Sequence, residues 1–237
     1  WIQPGSGGVT VGGHHVPTPL NVLSLGKGAI PAAEAIQDRL YSLDIRPDRI
    51  ETFSHSNSSD DNLGSHWTHH RGEHPHPKEA SFQSAMQLEA LFKRQARPYI
   101  IAATGGGSAI IACPVPGLNI ARYQLISTKL HQLGLSIQEM NDFRMLIDKN
   151  KGGGIRFPED TVTGIFSDIV PSSDSHYVSS GIASLVDLRD DAWLDRVETL
   201  LANHLSLRVL VPEEIIDAAK TIVRTNTLQE LVSSARE

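Results

Sequence analysis

Apolar residues in this chain come in short continuous runs, and stretches of helical period lie between them. Asn21-Val22-Leu23-Ser24-Leu25 predicts a short buried strand that Gly26 stops, and residues 50–54 predict a second. Tyr99-Ile100-Ile101-Ala102-Ala103, introduced by Pro98, predicts a fully apolar third, and 161–167 a fourth that ends at Asp168. Between them, 30–40 reads as a helix with Pro31 suited to its first turn, and 79–95 as one with Ala85, Leu88, Leu91 and Phe92 on a single face. Asn119 can cap a helix that ends near Gly134, and Ser136 with Glu139 makes a capping-box pattern for the next. The glycines of 149–154 break that helix, and from Asp190 two helical stretches flank Val211-Pro212. Strands that alternate with helices predict parallel βαβ units. The expected fold is α/β, a three-layer Rossmann-like parallel sheet with helices on both faces. The Gly-, Pro- and His-rich residues 1–20 are expected to be irregular. Residues 55–78, polar and aperiodic, are expected to form one long loop. The division is then 1–20, an α/β domain over 21–210, and a helical segment over 211–237.

Composition narrows the function classes. The chain has 237 residues, 40% hydrophobic and 20% charged, which is ordinary for a chain that buries its own core. Lys and Arg total 21 against 27 Asp and Glu, a formal net charge of −6, so a nucleic-acid surface is not expected. A single cysteine, Cys113, excludes an internal disulfide framework and fits a reducing compartment. No apolar run approaches about 18 residues and no secretory signal is read, so the expectation is a cytoplasmic protein without a membrane partner.

Ligands of open parallel sheets bind outside the carboxyl ends of the strands. Three expected strand ends carry candidate chemistry: Gly26-Lys27-Gly28, then 104–109, then Ser167-Asp168. In Thr104-Gly105-Gly106-Gly107-Ser108-Ala109 the glycines can turn backbone N–H groups toward an anionic oxygen. The same glycines also suit a tight strand-to-helix crossing. GxxxxGK[ST] is absent, and Ile110 stands where GxGxxG needs its third glycine. Lys27 can steady a transferring phosphoryl group or be a solvated turn lysine. Asp168 can hold Mg²⁺, accept a hydroxyl proton, or cap a turn. His55, His66, His69, His70, His74 and His76 crowd one stretch without a cysteine or HExxH, which fits a solvated loop with one or two substrate-facing histidines better than a zinc site. Cys113 reads as buried, and Ser108 lacks the GxSxG setting of a nucleophile.

Taken in order, these segments resemble the glycerate 2-kinase family, whose usual C-terminal partner is the MOFRL domain. Leu23-Ser24-Leu25-Gly26-Lys27 is similar to the family strand that ends in Gly-Lys-Ala-Ala. Gly72-Glu73-His74-Pro75-His76-Pro77 resembles Gly-His-Pro-x-Pro with one residue shifted. The triple-glycine segment, with Pro114 downstream, resembles Ser-Gly-Gly-Gly-Ser-Ala-Leu. Residues 134–144, with Glu139, Asn141 and Arg144, resemble Gly-Ala-x-Ile-x-Glu-x-Asn-x-x-Arg, and Lys151-Gly152-Gly153, Ser167-Asp168-Ile169 and Ser180-Gly181 follow in family order.

The resemblance implies an ATP-dependent kinase that phosphorylates the 2-hydroxyl of D-glycerate with Mg²⁺. Lys27 and Asp168 would be catalytic, with Asp168 also the metal residue. Gly105, Gly106, Gly107 and Ser108 would cradle phosphate oxygens, and His74, Asn141, Arg144 and Lys151 would bind the substrate. A second domain absent from this chain, or a homodimer, would complete the site, and 211–237 would approach the start of that domain. The sequence departs from the family at Pro171-Ser172, where Gly-Asp is expected, at Ile182-Ala183 for Pro-Thr, at Met145 for Lys, and at Asp148 for Ser. An acid at 148 is expected to repel phosphate. The alternative reading is a kinase-like domain that binds a small anion without turnover.

Overall fold

In the computed structural model, residues 1–57, 64–94, 97–166 and 175–234 are described. Five parallel strands form the main sheet: β4 (Asn21–Leu25), β5 (Ile50–His55), β6 (Trp67–Gly72), β7 (Tyr99–Thr104) and β8 (Val162–Phe166). Their order is β6-β5-β4-β7-β8, so the chain winds outward from β4 in one direction and then from β7 in the other. The central pair, β4 and β7, is buried on both faces, which is why β7 is apolar from Tyr99 to Ala103 and β4 mostly so, with the buried Ser24 hydroxyl donating to Ala102 O at 3.3 Å.

Strand alternation sends the side chains to two cores. Leu23, Leu25, Phe53, Ile101 and Ala103 meet Ala85 and Leu88 of α2 (Glu79–Arg94). Val22, Ile50, Ile100 and Ala102 meet Ala33, Ile36 and Leu40 of α1 (Ala29–Ser42) on the other face. The three-layer expectation holds.

Two sequence expectations fail. Residues 1–20 are not irregular, because β1 (Ile2–Gly5), β2 (Gly8–Val11) and β3 (His14–Pro17) form an antiparallel sheet. Gly12 and Gly13, with φ of 56° and 91°, make the two-residue hairpin turn, and Ile2, Val9, Val11 and Val16 join the α1 core. The stretch 55–78 is not one loop either, since it contains β6. An edge strand with one neighbour needs no apolar run, and its histidines serve the ladder. His69 lies 2.7 Å from Thr52 Oγ1 and 3.2 Å from Ser54 Oγ, while His70 bonds Glu51 at 3.0 Å and stacks on Phe53.

A third core is helical. It joins α4 (Ile120–Gln132), α5 (Ile137–Ile147), α6 (Asp191–Asn203), α7 (Leu205–Arg208) and α8 (Glu213–Ser234) around Phe143 and Trp193. The expected Asn119 cap and Ser136–Glu139 capping box are both present. Ile215, Ile216, Ala219 and Val223 of α8 pack into this core. Among the described residues no helix is long and apolar enough to cross a membrane.

Candidate functional site

The strand order reverses direction between β4 and β7, and ligands of open α/β sheets bind at such a switch point. The loops after both strands carry the glycine-rich segments singled out above, and Thr104 staples them together. Its Oγ1 donates to Leu25 O at 3.1 Å and accepts from Gly28 N at 3.0 Å, while Lys27 N donates to Gly105 O at 2.9 Å. Gly26, with φ of 108°, is obligatory here: a Cβ would stand 2.3 Å from Thr104 Oγ1 and 2.4 Å from Thr104 O.

Gly106 (φ 88°) then turns the chain into α3 (Gly107–Ile110), a single turn whose dipole is correspondingly small. A Cβ on Gly106 would lie 2.9 Å from Lys27 Cγ and 3.2 Å from His74 Cδ2, so the lysine stem and the imidazole flank this glycine from two sides. His74 is set there by the end of β6. Gly72 presses on Ile110, where a Cβ would stand 2.1 Å from the Ile110 carbonyl oxygen, and Glu73 accepts from Ser81 N and Oγ at 3.2 and 3.1 Å. The 73–78 turn is thereby folded back onto α2.

Arg144 on α5 bears on the same imidazole through its charge. It lies near enough to His74 to disfavour protonation of the ring, as do Lys27, His55 and His131. Burial contributes most, and the imidazole pKa falls to about 4. Lys27 is exposed and Arg144 half-buried. Neither cation's side chain has a hydrogen-bond or ion-pair partner among the described residues.

The remaining expected site residues are placed differently. Ser108 bonds Ser180 Oγ at 2.9 Å, and Ser180 donates to Asn141 Oδ1 at 2.7 Å, so Ser108 and Asn141 are tied to each other. Ser179 donates to Thr104 O at 2.9 Å and stands where a Cβ on Gly107 would need to be. Ser179 and Ser180 both have left-handed backbones (φ 55° and 59°), strain that these three hydrogen bonds hold in place. Neither serine was read from the sequence as a site residue, although Ser180-Gly181 was part of the motif series.

Lys151 is wholly buried. Its Nζ donates to Ile111 O at 2.5 Å and faces Asp148 Oδ2 at 3.2 Å. Burial pushes its pKa down while the Asp148 charge opposes that shift. Asp148 also accepts from Cys113 N (2.9 Å), Tyr123 OH (2.8 Å) and Asn150 N (3.0 Å). Burial, then Asp148, raises the Tyr123 pKa well above normal, so the phenol stays a donor. Asp148 is thus turned inward onto Lys151, Cys113 N, Tyr123 OH and Asn150 N, and its charge also favours the charged form of Arg144. Cys113 is buried as expected, its thiol pushed up to about 12 by burial and by Glu89.

Asp168 lies outside the described residues. Among those described, no three or more His, Cys, Asp or Glu side chains gather to hold a metal ion, and the expected His stretch is dispersed from His55 at the end of β5, through His66 before β6 and His69 and His70 on it, to His74 and His76 in the turn after it.

Fold and site together define a doubly wound α/β domain that presents two cations and a glycine turn at its topological switch point. The chain belongs to the family described as a domain of unknown function, DUF4147, whose model matches residues 12–216. Among curated proteins it is 28% identical over 144 residues to the glycerate 2-kinase of Picrophilus torridus, covering 59% of this chain and 34% of that one. It is 26% identical over 146 residues to the glycerate kinase of Rattus norvegicus, covering 59% and 26%. A putative hydroxypyruvate reductase of Agrobacterium vitis is also 26% identical, over 144 residues, covering 59% and 35%. Among solved structures, a Pyrococcus horikoshii OT3 protein superposes with a TM-score of 0.72 at 22% identity, over 95% of this chain and 50% of that one. A glycerate kinase of Thermotoga maritima gives 0.65 at 19% identity, over 85% and 47%. The matches thus span about a third or less of these curated relatives and half or less of the solved chains. The glycerate kinases among these matches support the resemblance read from the motifs.

Proposed function

We propose that this chain carries the phosphoryl-transfer site of a glycerate-kinase-type enzyme, moving the γ-phosphoryl of ATP to the 2-hydroxyl of D-glycerate. The carrying observation is that Lys27 and His74 flank the glycine turn at the switch point while the Arg144 charge bears on the same imidazole, and neither cation's side chain has a hydrogen-bond or ion-pair partner among the described residues. Phosphoryl transfer is mostly positioning and charge neutralisation, and cations held ready for anionic oxygens supply both. Lys27 would meet the transferring group, with the 105–107 backbone bare of side chains so that phosphate can approach. Arg144 would take the substrate carboxylate as a fork. Ser108 and Asn141 would brace the turn from below, and Lys151 would serve Asp148 instead of the substrate. A second domain or a second subunit would close the crevice.

Mg²⁺ is bound in such sites by one or two carboxylates and by the nucleotide's own oxygens. The described donors at the crevice are cationic or neutral, so only Asp168 is assigned to the metal, and no step is derived through it.

The test is ADP release from ATP by the purified chain with D-glycerate and Mg²⁺. Glycerate-dependent release that falls at least about a hundredfold in Lys27→Ala is the expected result, with a similar loss in Asp168→Asn. Release unchanged in both variants would sink the site assignment. Pro171-Ser172, standing where the resemblance expects Gly-Asp, favours a second reading in which anions bind without turnover. Saturable calorimetric binding of ATP or glycerate with no ADP formed would select it.

A further inference from the structure

His74 was expected to hold an anionic group, and its surroundings argue for another task. The imidazole is half-buried, and neither ring nitrogen has a partner among the described residues; only the backbone oxygen is engaged, 3.4 Å from His55 Nε2. The charged and titratable groups that bear on it come from four directions: Lys27 after β4, His55 at the end of β5, His131 on α4 and Arg144 on α5. All are cations or potential cations. The ring therefore stays neutral near pH 7, with one nitrogen an acceptor and the other a donor.

A neutral acceptor among cations attracts no anion by charge. Its acceptor nitrogen can take a hydrogen bond from an uncharged O–H, and the cations favour a place for that hydroxyl. One neighbour, Arg144, suits a carboxylate; the other, Lys27, reaches over Gly106 toward a phosphoryl group. A hydroxyl beside His74 would thus be close to a carboxylate and to the incoming phosphorus at once. A hydroxyl on the carbon next to the carboxylate meets both conditions.

We propose that His74 accepts a hydrogen bond from the hydroxyl of a 2-hydroxy carboxylate and so selects a hydroxyl α to the carboxylate. This rests on the reading that the crevice takes a hydroxy acid acceptor. It assigns His74 to recognition of the reacting oxygen.

Binding tests it without turnover. D-glycerate and 3-hydroxypropanoate share a carboxylate and a terminal hydroxyl and differ in the 2-hydroxyl. By calorimetry, the chain should bind D-glycerate about tenfold more tightly, the worth of one well-made hydrogen bond. His74→Phe should erase that gap by weakening D-glycerate alone, and His74→Gln, which keeps an acceptor, should restore part of it. The His74 ring signal in NMR should titrate near 4 and move with D-glycerate but not with the analogue. A gap that survives in His74→Phe, or no gap in the parent chain, overturns the proposal. If neither acid binds, it falls too. ATP binding that is lost in Lys27→Ala would then show that the phosphoryl site stands without it.

Discussion

Replacing Asp148 with Ala tests the largest electrostatic commitment in the described structure. The carboxylate and the Lys151 ammonium are both fully buried, 3.2 Å apart, and the same carboxylate satisfies Cys113 N, Tyr123 OH and Asn150 N. Deleting it strands a buried cation, which costs about 3–5 kcal/mol. It also orphans two or three donors at about 1–3 kcal/mol each if they stay dry. These losses share one cavity and do not add, so on the order of 4 kcal/mol is expected in all. That is a large part of the roughly 5–15 kcal/mol that stabilises a domain. Denaturant unfolding followed by circular dichroism should show the midpoint fall with little change in slope. The double variant Asp148→Leu with Lys151→Met removes both charges and should recover most of the loss. A single-variant cost below about 1 kcal/mol, or a double variant as poor as the sum of the two singles, would refute the buried pair. The functional corollary is as sharp. Because Asp148 faces Lys151, Asp148→Asn should leave phosphate affinity within about twofold, and a tenfold gain would mean the acid does face the anion.

Two smaller perturbations probe the crevice. Gly26→Ala should abolish the native fold or strip it of phosphate binding. Its Cβ would sit 2.4 Å from a backbone oxygen that cannot yield, at a φ that costs an L-residue about 1–2 kcal/mol on its own; a variant with native melting and native phosphate affinity would contradict the stapled-loop geometry. His74 gives a pH signature. Its folded pKa lies near 4 against 6.5 unfolded, so between those values the unfolded chain binds more protons. The stability this contributes is present above pH 6.5 and lost as pH falls toward 4. Melting temperature should therefore drop more steeply across that window in the parent chain than in His74→Gln, and parallel curves would refute it.

The main sheet was legible because its central strands are buried on both faces, which favours short, mostly apolar runs there. Its edge was not. β6 lies against one neighbour, so Thr68, His69 and His70 can be polar there provided β5 offers Glu51, Thr52 and Ser54 as partners. Read alone, that stretch is a histidine-rich loop, and only pairing across the ladder reveals it as a strand. The N-terminal sheet did carry a signal: Val9 and Val11 alternate just before Gly12-Gly13, a two-residue turn pattern that strand-length rules underrate in four-residue strands.

The site divides along the same line. Residues that must be glycine for backbone reasons, Gly26 and Gly106, are visible in sequence because no other residue fits, and they bring Lys27 with them. Residues whose role depends on which way a side chain points are not. Asp148 and Lys151 sit three apart in a segment with every appearance of an anion site. The Pro114–Asp148 bridge and the Lys149 N to Cys113 O bond fix that segment against the strand-like stretch behind the glycine turn. Asp148 is thereby directed inward, and Lys151 must follow to neutralise it. On the proposed reading, the buried Asp148 pair would keep Lys151 from the ligand, and recognition would fall to Lys27 and Arg144, with a neutral imidazole beside them. Two cations whose side chains have no hydrogen-bond or ion-pair partner among the described residues, with one uncharged acceptor, would suit a ligand that brings two anionic groups and one hydroxyl, and that stoichiometry is the physical content of the proposed chemistry.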